Sequence, residues 1–318
     1  MESIPSVIKF SFPNEIQWIS GILLSSESDQ VQSIKIQPFD GKLKRYQFRQ
    51  TDAVVFDIPD WDEKKSNNTS AADYSAMVRR AKDACRGELS KVVLSRCIDV
   101  PTDGIDIDTA LLNLRVSFPK AFVYAIQTEE FGLWMGATPE TLVRKKKTHF
   151  ETMSLAGTKW GGDAFTEKEL VEQQVVTESI LNDLNLSFEN ATDAKEVNYG
   201  KMRHLQSIVR WQSLESLTSI SQKLHPTPAV CGLPKMAALS FIHGTENYTR
   251  ELYTGYFQIE GIGEDDISFV NLRCMQLFRN RIRFYIGGGI NSMSDPESEW
   301  IETEKKLETL LDAIKIER

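Results

Sequence analysis

Four glutamates and a lysine set the chemical terms of this chain. Glu169 and Glu172 stand three residues apart, and Glu299 and Glu302 repeat that spacing ahead of Lys306. On a helix, side chains at that spacing share one face. Thr166-Glu167-Lys168-Glu169 is a capping-box pattern, and Asp295-Pro296 reads as an N-cap followed by the first helical residue. Two capped helices, each with an acidic pair within two turns of its start, could pinch one metal ion between them. Oxygen-only donors with no His or Cys cluster nearby favour Mg²⁺ over zinc. Ordinary capped helices with solvated acidic edges account for the same residues.

Other residues add chemistry of a different kind. The strand-like run 281–286 ends in Gly287-Gly288-Gly289, where a second group can approach the backbone closely. The run 148–155 stops at Ala156-Gly157-Thr158, a small-residue turn whose amides could meet an anion. Lys91 heads the strand Lys91–Arg96 and shares a face with Val93 and Ser95; a lysine there is ordinarily a solvated edge charge. Glu140, in Thr138-Pro139-Glu140-Thr141, falls where a strand turns over. Arg273 is read inside a strand running from 267 to 278. An arginine amid apolar strand residues is costly unless an anion pairs with it.

The elements that must position these groups are mixed. Residues 1 to about 60 hold short strand-like runs without a chemical motif, and 62–73 is polar and turn-rich, a linker or surface loop. A helix over 75–90, a hairpin from 121–126 and 131–137, and a helix from 166 to about 184 follow. A further helix is read around 204–217. Three prolines between Pro226 and Pro234 rule out a regular helix or central strand there, leaving a fixed loop able to wall a pocket. The final third is strand-rich. The whole reads as an α/β (α+β) chain with long antiparallel strands.

With 318 residues the chain can bury a large core. Its formal charge of -8, with both signs interspersed, argues against a nucleic-acid or anionic-membrane surface. No apolar run approaches membrane-spanning length, and residues 1–10 lack a signal-peptide pattern. Four widely spaced cysteines suit buried thiols in a reducing cytoplasm. Residues alone thus lead to a Mg²⁺-assisted enzyme for a small carboxylate, without naming its reaction.

From Ser75 onward, roughly three quarters of the chain resembles the chorismate-utilising enzymes, which include isochorismate, salicylate, anthranilate and aminodeoxychorismate synthases. The motifs fall in order: KVVLSR at 91–96, GATPETL at 136–142, SLAGT at 154–158, KELVEQQVV at 168–176, LHPTPAVCGLPK at 224–235, RELYTG at 250–255, VNLR at 270–273, and GGGINSMSDPESEWIETEKK at 287–306. The resemblance implies two facing antiparallel sheets with outer helices and the active site between them. It also implies a shortened strand-rich part over 1–70 and a chorismate-binding catalytic domain over 71–318.

Within the family the motifs look most like isochorismate synthases. Lys91 stands where anthranilate synthases typically carry Gln, and Ala156 where aminodeoxychorismate synthases carry a nucleophilic Lys. The resemblance implies that Lys91 activates a water to attack C2 of chorismate while Glu140 protonates the departing C4 hydroxyl. General-base work needs the amine without its proton, and general-acid work needs the carboxyl with one. It implies Glu172 and Glu302 as Mg²⁺ ligands, with Glu169 and Glu299 in support through water. Arg273 and Tyr253 are expected on the enolpyruvyl carboxylate, with Gly157, Thr158, His204, Gly287, Gly289 and Lys306 completing the pocket.

Gln173 departs from the family's usual His beside the metal glutamate. No tryptophan-feedback motif is evident near the N-terminus, so a monomer without an amidotransferase subunit is expected. The product is expected to feed menaquinone, or else catechol-siderophore, synthesis. A salicylate synthase and a non-catalytic chorismate-binding protein are the alternatives.

Overall fold

The computed structural model describes residues 5–60, 68–160, 162, 164–199 and 202–316, leaving aside the side chains of Thr158, Trp160, Lys168 and Tyr199. The chain opens with β1 (Val7–Ser11), β2 (Ile19–Ser25), β3 (Ser33–Gln37) and β4 (Lys44–Gln50), then α1 (Ala71–Ala84), β5 (Lys91–Pro101) and α2 (Ile107–Ser117). Next come β6 (Phe122–Thr128), β7 (Gly132–Thr138), β8 (Thr141–Lys146), β9 (His149–Trp160) and α3 (Glu167–Leu184). β10 (Lys195–Tyr199), β11 (Met202–Gln212), α4 (Leu217–Leu224), the two-residue β12 (Gly232–Leu233) and α5 (Lys235–His243) lead to the strand-rich end. That end is β13 (Tyr256–Glu260), β14 (Asp266–Val270), β15 (Cys274–Phe278), β16 (Arg281–Ile290) and α6 (Pro296–Ile314).

The strands form one hydrogen-bonded series in the order β10-β11-β9-β8-β14-β13-β3-β4-β2-β1-β6-β7-β15-β16-β5-β12. Each neighbouring pair in it is antiparallel. The series folds back on itself, so that its two halves face each other across an aromatic core. Phe122 of β6 stacks on Phe269 of β14 with ring centres 4.4 Å apart, and Tyr124 meets Phe257 of β13 edge-on at 4.6 Å. β1–β4 lie at the middle of the series and supply Phe10, Ile34, Ile36 and Phe48 to this core, so these four strands belong to the same hydrophobic unit.

Helices cover the outer faces. α2 and α6 bury Leu111, Leu114, Leu307 and Leu310 against β6, β7, β15 and β16. α3 and α4 bury Val176, Ile180, Ile220 and Leu224 against the other half. α1 and α5 close over the β5 end through Tyr74, Val78, Ala238 and Ile242. Among the described residues no helix is long and apolar enough to cross a membrane.

Several local readings change. The helix expected around 204–217 is the strand β11 for most of its length, and helix resumes only at Leu217. A bulge explains the misreading. Against β9 the register shifts between His204 and Leu205 with Gly157 of β9 as the extra residue, and in β11 His204 and Leu205 are both buried, so burial there does not follow a two-residue alternation. The same bulge holds Gly157 at φ +66°, and β9 runs past the expected turn at 156–158 to Trp160.

The glycines 287–289 do not turn either. They continue β16 alongside β5, pairing Gly287 with Ser95 and Gly289 with Val93. The strand expected over 267–278 breaks into β14 and β15 around Arg273, whose φ is +48°. The first helix begins at Ala71 rather than 75, because the Ser70 hydroxyl accepts from the Asp73 amide and caps it; the helix ends at Ala84 rather than near 90.

Candidate active site

The cleft between the two ends of the folded series is walled by β5 and β16 on one side and β9, β11 and α3 on the other, with α6 along its edge. It encloses about 180 Å³, room for a small molecule rather than a polymer. Lys91, Glu140, Gly157, Glu169, Glu172, His204, Tyr253, Arg273, Gly287, Gly289, Glu299, Glu302 and Lys306 all line it. The side chain of Thr158, the remaining candidate, lies outside the described residues.

Lys91 is placed by strand alternation. Val92 and Leu94 face α1 and α5, which leaves Lys91 and Val93 on the cleft side of β5. The proline loop clamps this point: Gly232 and Leu233 pair with Val92 and Lys91, and a Cβ on Gly232 would meet Lys91 O at 2.3 Å. The Lys91 ammonium is buried and lies 2.6 Å from Glu172 Oε1. Gly289 makes room for that pair, since a Cβ there would fall 2.8 Å from Lys91 Cε and 3.0 Å from Glu172 Oε1. Gly289 is thus required by crowding, not by turn geometry. At Gly287 a Cβ would meet Tyr253 Oη at 2.7 Å.

Glu140 follows β7 in a corner anchored to β14. Its carbonyl accepts from the Val270 amide at 3.0 Å, and Thr138 Oγ1 donates to the Val270 carbonyl. The side chain is buried, and burial pushes its pKa up to about 8, against the pull of Lys91 and Arg273. The carboxyl therefore holds its proton at neutral pH, the state a general acid needs.

Arg273 reaches the cleft from the break between β14 and β15. Asn271 fixes that break: its amide donates to Gly255 O at 2.7 Å, its side-chain Nδ2 to Leu252 O at 2.8 Å, and its Oδ1 accepts from Tyr124. The left-handed backbone at Arg273 costs roughly 1–2 kcal/mol, which the surrounding bonds hold in place. His204 Nδ1 lies 3.0 Å from Gly157 O, and a carbonyl only accepts, so that nitrogen carries the proton. Nε2 is then free to accept from the Arg273 guanidinium at 3.2 Å. Burial first, then the charge of Arg273, pull the His204 pKa down to about 3, so the ring is neutral.

The four glutamates differ in their present partners. Glu172 holds Lys91, and Glu302 holds Lys306 at 2.8 Å while Lys306 also donates to Gly287 O at 2.7 Å. Glu169 closes the capping box on the Thr166 amide and hydroxyl at 2.7 and 2.6 Å, and its other oxygen lies 3.2 Å from Lys159. Burial raises its pKa, but the Thr166 and Lys159 bonds outweigh that and hold it below the ordinary value. Glu299 is buried on α6. Among the described residues no three His, Cys, Asp or Glu side chains gather closely enough to ligate one ion directly. Carboxylate oxygens from two helices, reaching an ion one or two at a time, fit a hard cation that keeps much of its own water.

Gln173 faces away from the cleft, its Nε2 donating to Ser207 Oγ at 2.8 Å and Thr177 Oγ1 at 3.1 Å, and so ties α3 to β11. Lys159 and Tyr285 were not picked out from the sequence. Lys159 follows the bulge two residues after Gly157, and Tyr285, on the β16 alternation, stacks on Tyr253 at 5.6 Å.

Residues 11–315 match the family model described as "Chorismate binding enzyme". The chain is 31% identical over 260 residues to the isochorismate synthase EntC of Escherichia coli (strain K12), an alignment covering 75% of this chain and 66% of that protein. It is 30% identical over 251 residues to the vibriobactin-specific isochorismate synthase of Vibrio cholerae, covering 72% and 63%. It thus spans just under two thirds of the length of these curated relatives. In three dimensions it superposes on the putative 2,3-dihydroxybenzoate-specific isochorismate synthase DhbC from Bacillus anthracis with a TM-score of 0.81 at 23% identity, covering 98% of this chain and 97% of the other.

Proposed function

The chain belongs to the chorismate binding enzyme family, and from that premise we propose that it is an isochorismate synthase, an isomerase that adds water at C2 of chorismate and expels the C4 hydroxyl. The observation that carries this reading is the single cleft shared by Lys91 and a buried, protonated Glu140. One can take a proton from water while the other gives one to a leaving hydroxyl. Relatives at 30–31% identity bear this activity in their names, which supports it further.

In the proposed reaction Lys91 acts as the neutral amine, having given up the proton it holds in the ion pair with Glu172, and accepts a proton from the attacking water as its oxygen bonds to C2. The ring double bonds shift, the C4–O bond breaks, and Glu140 delivers its proton so that the hydroxyl leaves as water. Chorismate and isochorismate have the same composition, so no other reactant is consumed. Arg273 and Tyr253 take the enolpyruvyl carboxylate, and the neutral His204 steers the guanidinium by accepting one of its N–H groups. Glu172 and Glu302 would hold Mg²⁺, with Glu169 and Glu299 behind them. When bound, the ion would supply charge to hold the ring carboxylate. Water as nucleophile requires no amidotransferase subunit.

Proton NMR of chorismate incubated with the purified protein, with Mg²⁺ or with EDTA, tests the reading. Isochorismate forming only with Mg²⁺ is the expected result. Salicylate with pyruvate would make the protein a salicylate synthase, and unreacted chorismate bound to folded protein would make it a non-catalytic binder.

A further inference from the structure

Arg96 has no part in the reaction above, although it closes the motif that Lys91 opens. Strand alternation puts it with Val92 and Leu94 on the face of β5 turned away from Lys91, and it is almost wholly buried. Burying a guanidinium is costly unless its donors are paired, so the partners it keeps are informative. Those partners are one side of α6. The guanidinium carbon lies 3.8 Å from the centre of the Trp300 ring, Nε donates to Thr303 Oγ1 at 2.8 Å, and Nη2 donates to the Glu304 carboxylate. Thr303 is itself tied back to the helix, donating to the Trp300 carbonyl at 2.7 Å.

Trp300, Thr303 and Glu304 stand at i, i+3 and i+4 and so form one face of the helix. Glu299 and Glu302 each come one residue earlier, about 100° round the axis, on the side that lines the cleft. The two faces move together. A turn or slide of α6 that takes Trp300, Thr303 and Glu304 off Arg96 carries Glu299 and Glu302 by the same amount. A planar fork that stacks through its face and bonds through its edge restrains both motions, which the point charge of an ammonium does not. On the cleft side Lys306 reaches Gly287 O at 2.7 Å through a flexible four-carbon chain, a looser hold. The anchor also stands on the right strand pair. Arg96 is opposite Ile286, one step before the glycines of β16 that line the cleft.

We propose that Arg96 is a positioning residue for the carboxylate face of α6, setting the rotation and height of the helix so that Glu299 and Glu302 reach the cation site. The proposal rests on the reading of Glu302 as a Mg²⁺ ligand and of Glu299 as its support through water. β5 then serves both of its faces: Lys91 works in the cleft, and Arg96 holds the helix that brings carboxylates to it. Groups one step removed from a metal govern how well its ligands are oriented.

The test is cation affinity, measured by calorimetry with Mg²⁺ and by electron paramagnetic resonance with Mn²⁺, on the wild type, Arg96→Lys and Thr303→Val, with thermal unfolding in EDTA alongside. Arg96→Lys keeps the charge and loses the fork, and Thr303→Val removes the hydroxyl at nearly constant volume. Both variants are expected to melt below the wild type and, at temperatures where they are fully folded, to bind the cation about 10- to 100-fold more weakly. An anchor for stability alone would lower the melting temperature and leave affinity unchanged. Wild-type affinity in folded Arg96→Lys would therefore overturn the proposal, and if that variant does not fold, Thr303→Val decides by the same criterion. No cation binding by the wild type would overturn the ligand assignment and the role of Arg96 with it.

Discussion

Lys91 Nζ lies 2.6 Å from Glu172 Oε1, so an ion pair joins strand β5 to helix α3 across the cleft. The pair binds the two ends of the folded strand series to one another at the point where chemistry is proposed. Gly289 sits beneath it, and any side chain there would displace Lys91, Glu172 or both. Gly289→Ala is therefore expected to lower turnover by about a hundredfold or more, because small displacements of a reacting group are that costly. Near-wild-type kinetics in this variant would show that the crowding around Lys91 is not functional.

Lys91→Ala and Glu140→Gln should each abolish measurable isomerisation while leaving the circular dichroism spectrum unchanged. Loss of one positioned acid or base costs roughly 10²–10⁴-fold in rate. Steady-state kinetics on both variants decides the matter, and a wild-type rate in either removes that residue from the acid–base pair.

Glu140 also predicts a pH dependence. In the unfolded chain the carboxyl ionises near its ordinary value of 4.5, whereas the folded protein holds the proton up to about 8. The stabilisation it contributes is complete below the lower value and is lost as pH rises through about 8. Between mildly acidic and alkaline pH, the wild-type melting temperature should fall more steeply than that of Glu140→Gln. The rate of isomerisation should decline over the same alkaline range as the acid form disappears. Parallel melting curves for the two proteins would show that Glu140 is not held protonated.

The acidic residues make a separate prediction. Glu302→Ala removes one of the two carboxylates proposed to reach the ion and frees Lys306 from its 2.8 Å partner. Mg²⁺-dependent activity should be lost, and titrating more Mg²⁺ should not restore the wild-type rate. An unchanged dependence on Mg²⁺ would place the ligands elsewhere.

What the sequence made legible was local. Asp295 and Pro296 start α6, and Thr166 with Glu169 caps α3, because capping depends on neighbours within one turn. The alternation that puts Lys91 beside Val93 in the cleft is equally local. Features set by distant strands were not legible. His204 and Leu205 are buried in succession opposite the Gly157 bulge of β9, which masks the alternation that marks a strand, so β11 reads as a helix. Arg273 owes its direction to a left-handed backbone held by Asn271, Gly255 and Leu252, which no spacing announces. The meeting of Lys91 with Glu140 came from family motifs, since the two lie on elements separated by a helix and a hairpin.

The most direct test of the proposed chemistry is the origin of the oxygen at C2. Chorismate is incubated with the protein and Mg²⁺ in ¹⁸O-labelled water, and isochorismate is analysed by mass spectrometry at early times. If Lys91 activates solvent water, the product carries one ¹⁸O at C2 while the remaining chorismate is unlabelled. Product of unchanged mass would mean that the C4 hydroxyl migrates within the substrate, and the roles given to Lys91 and Glu140 would be wrong.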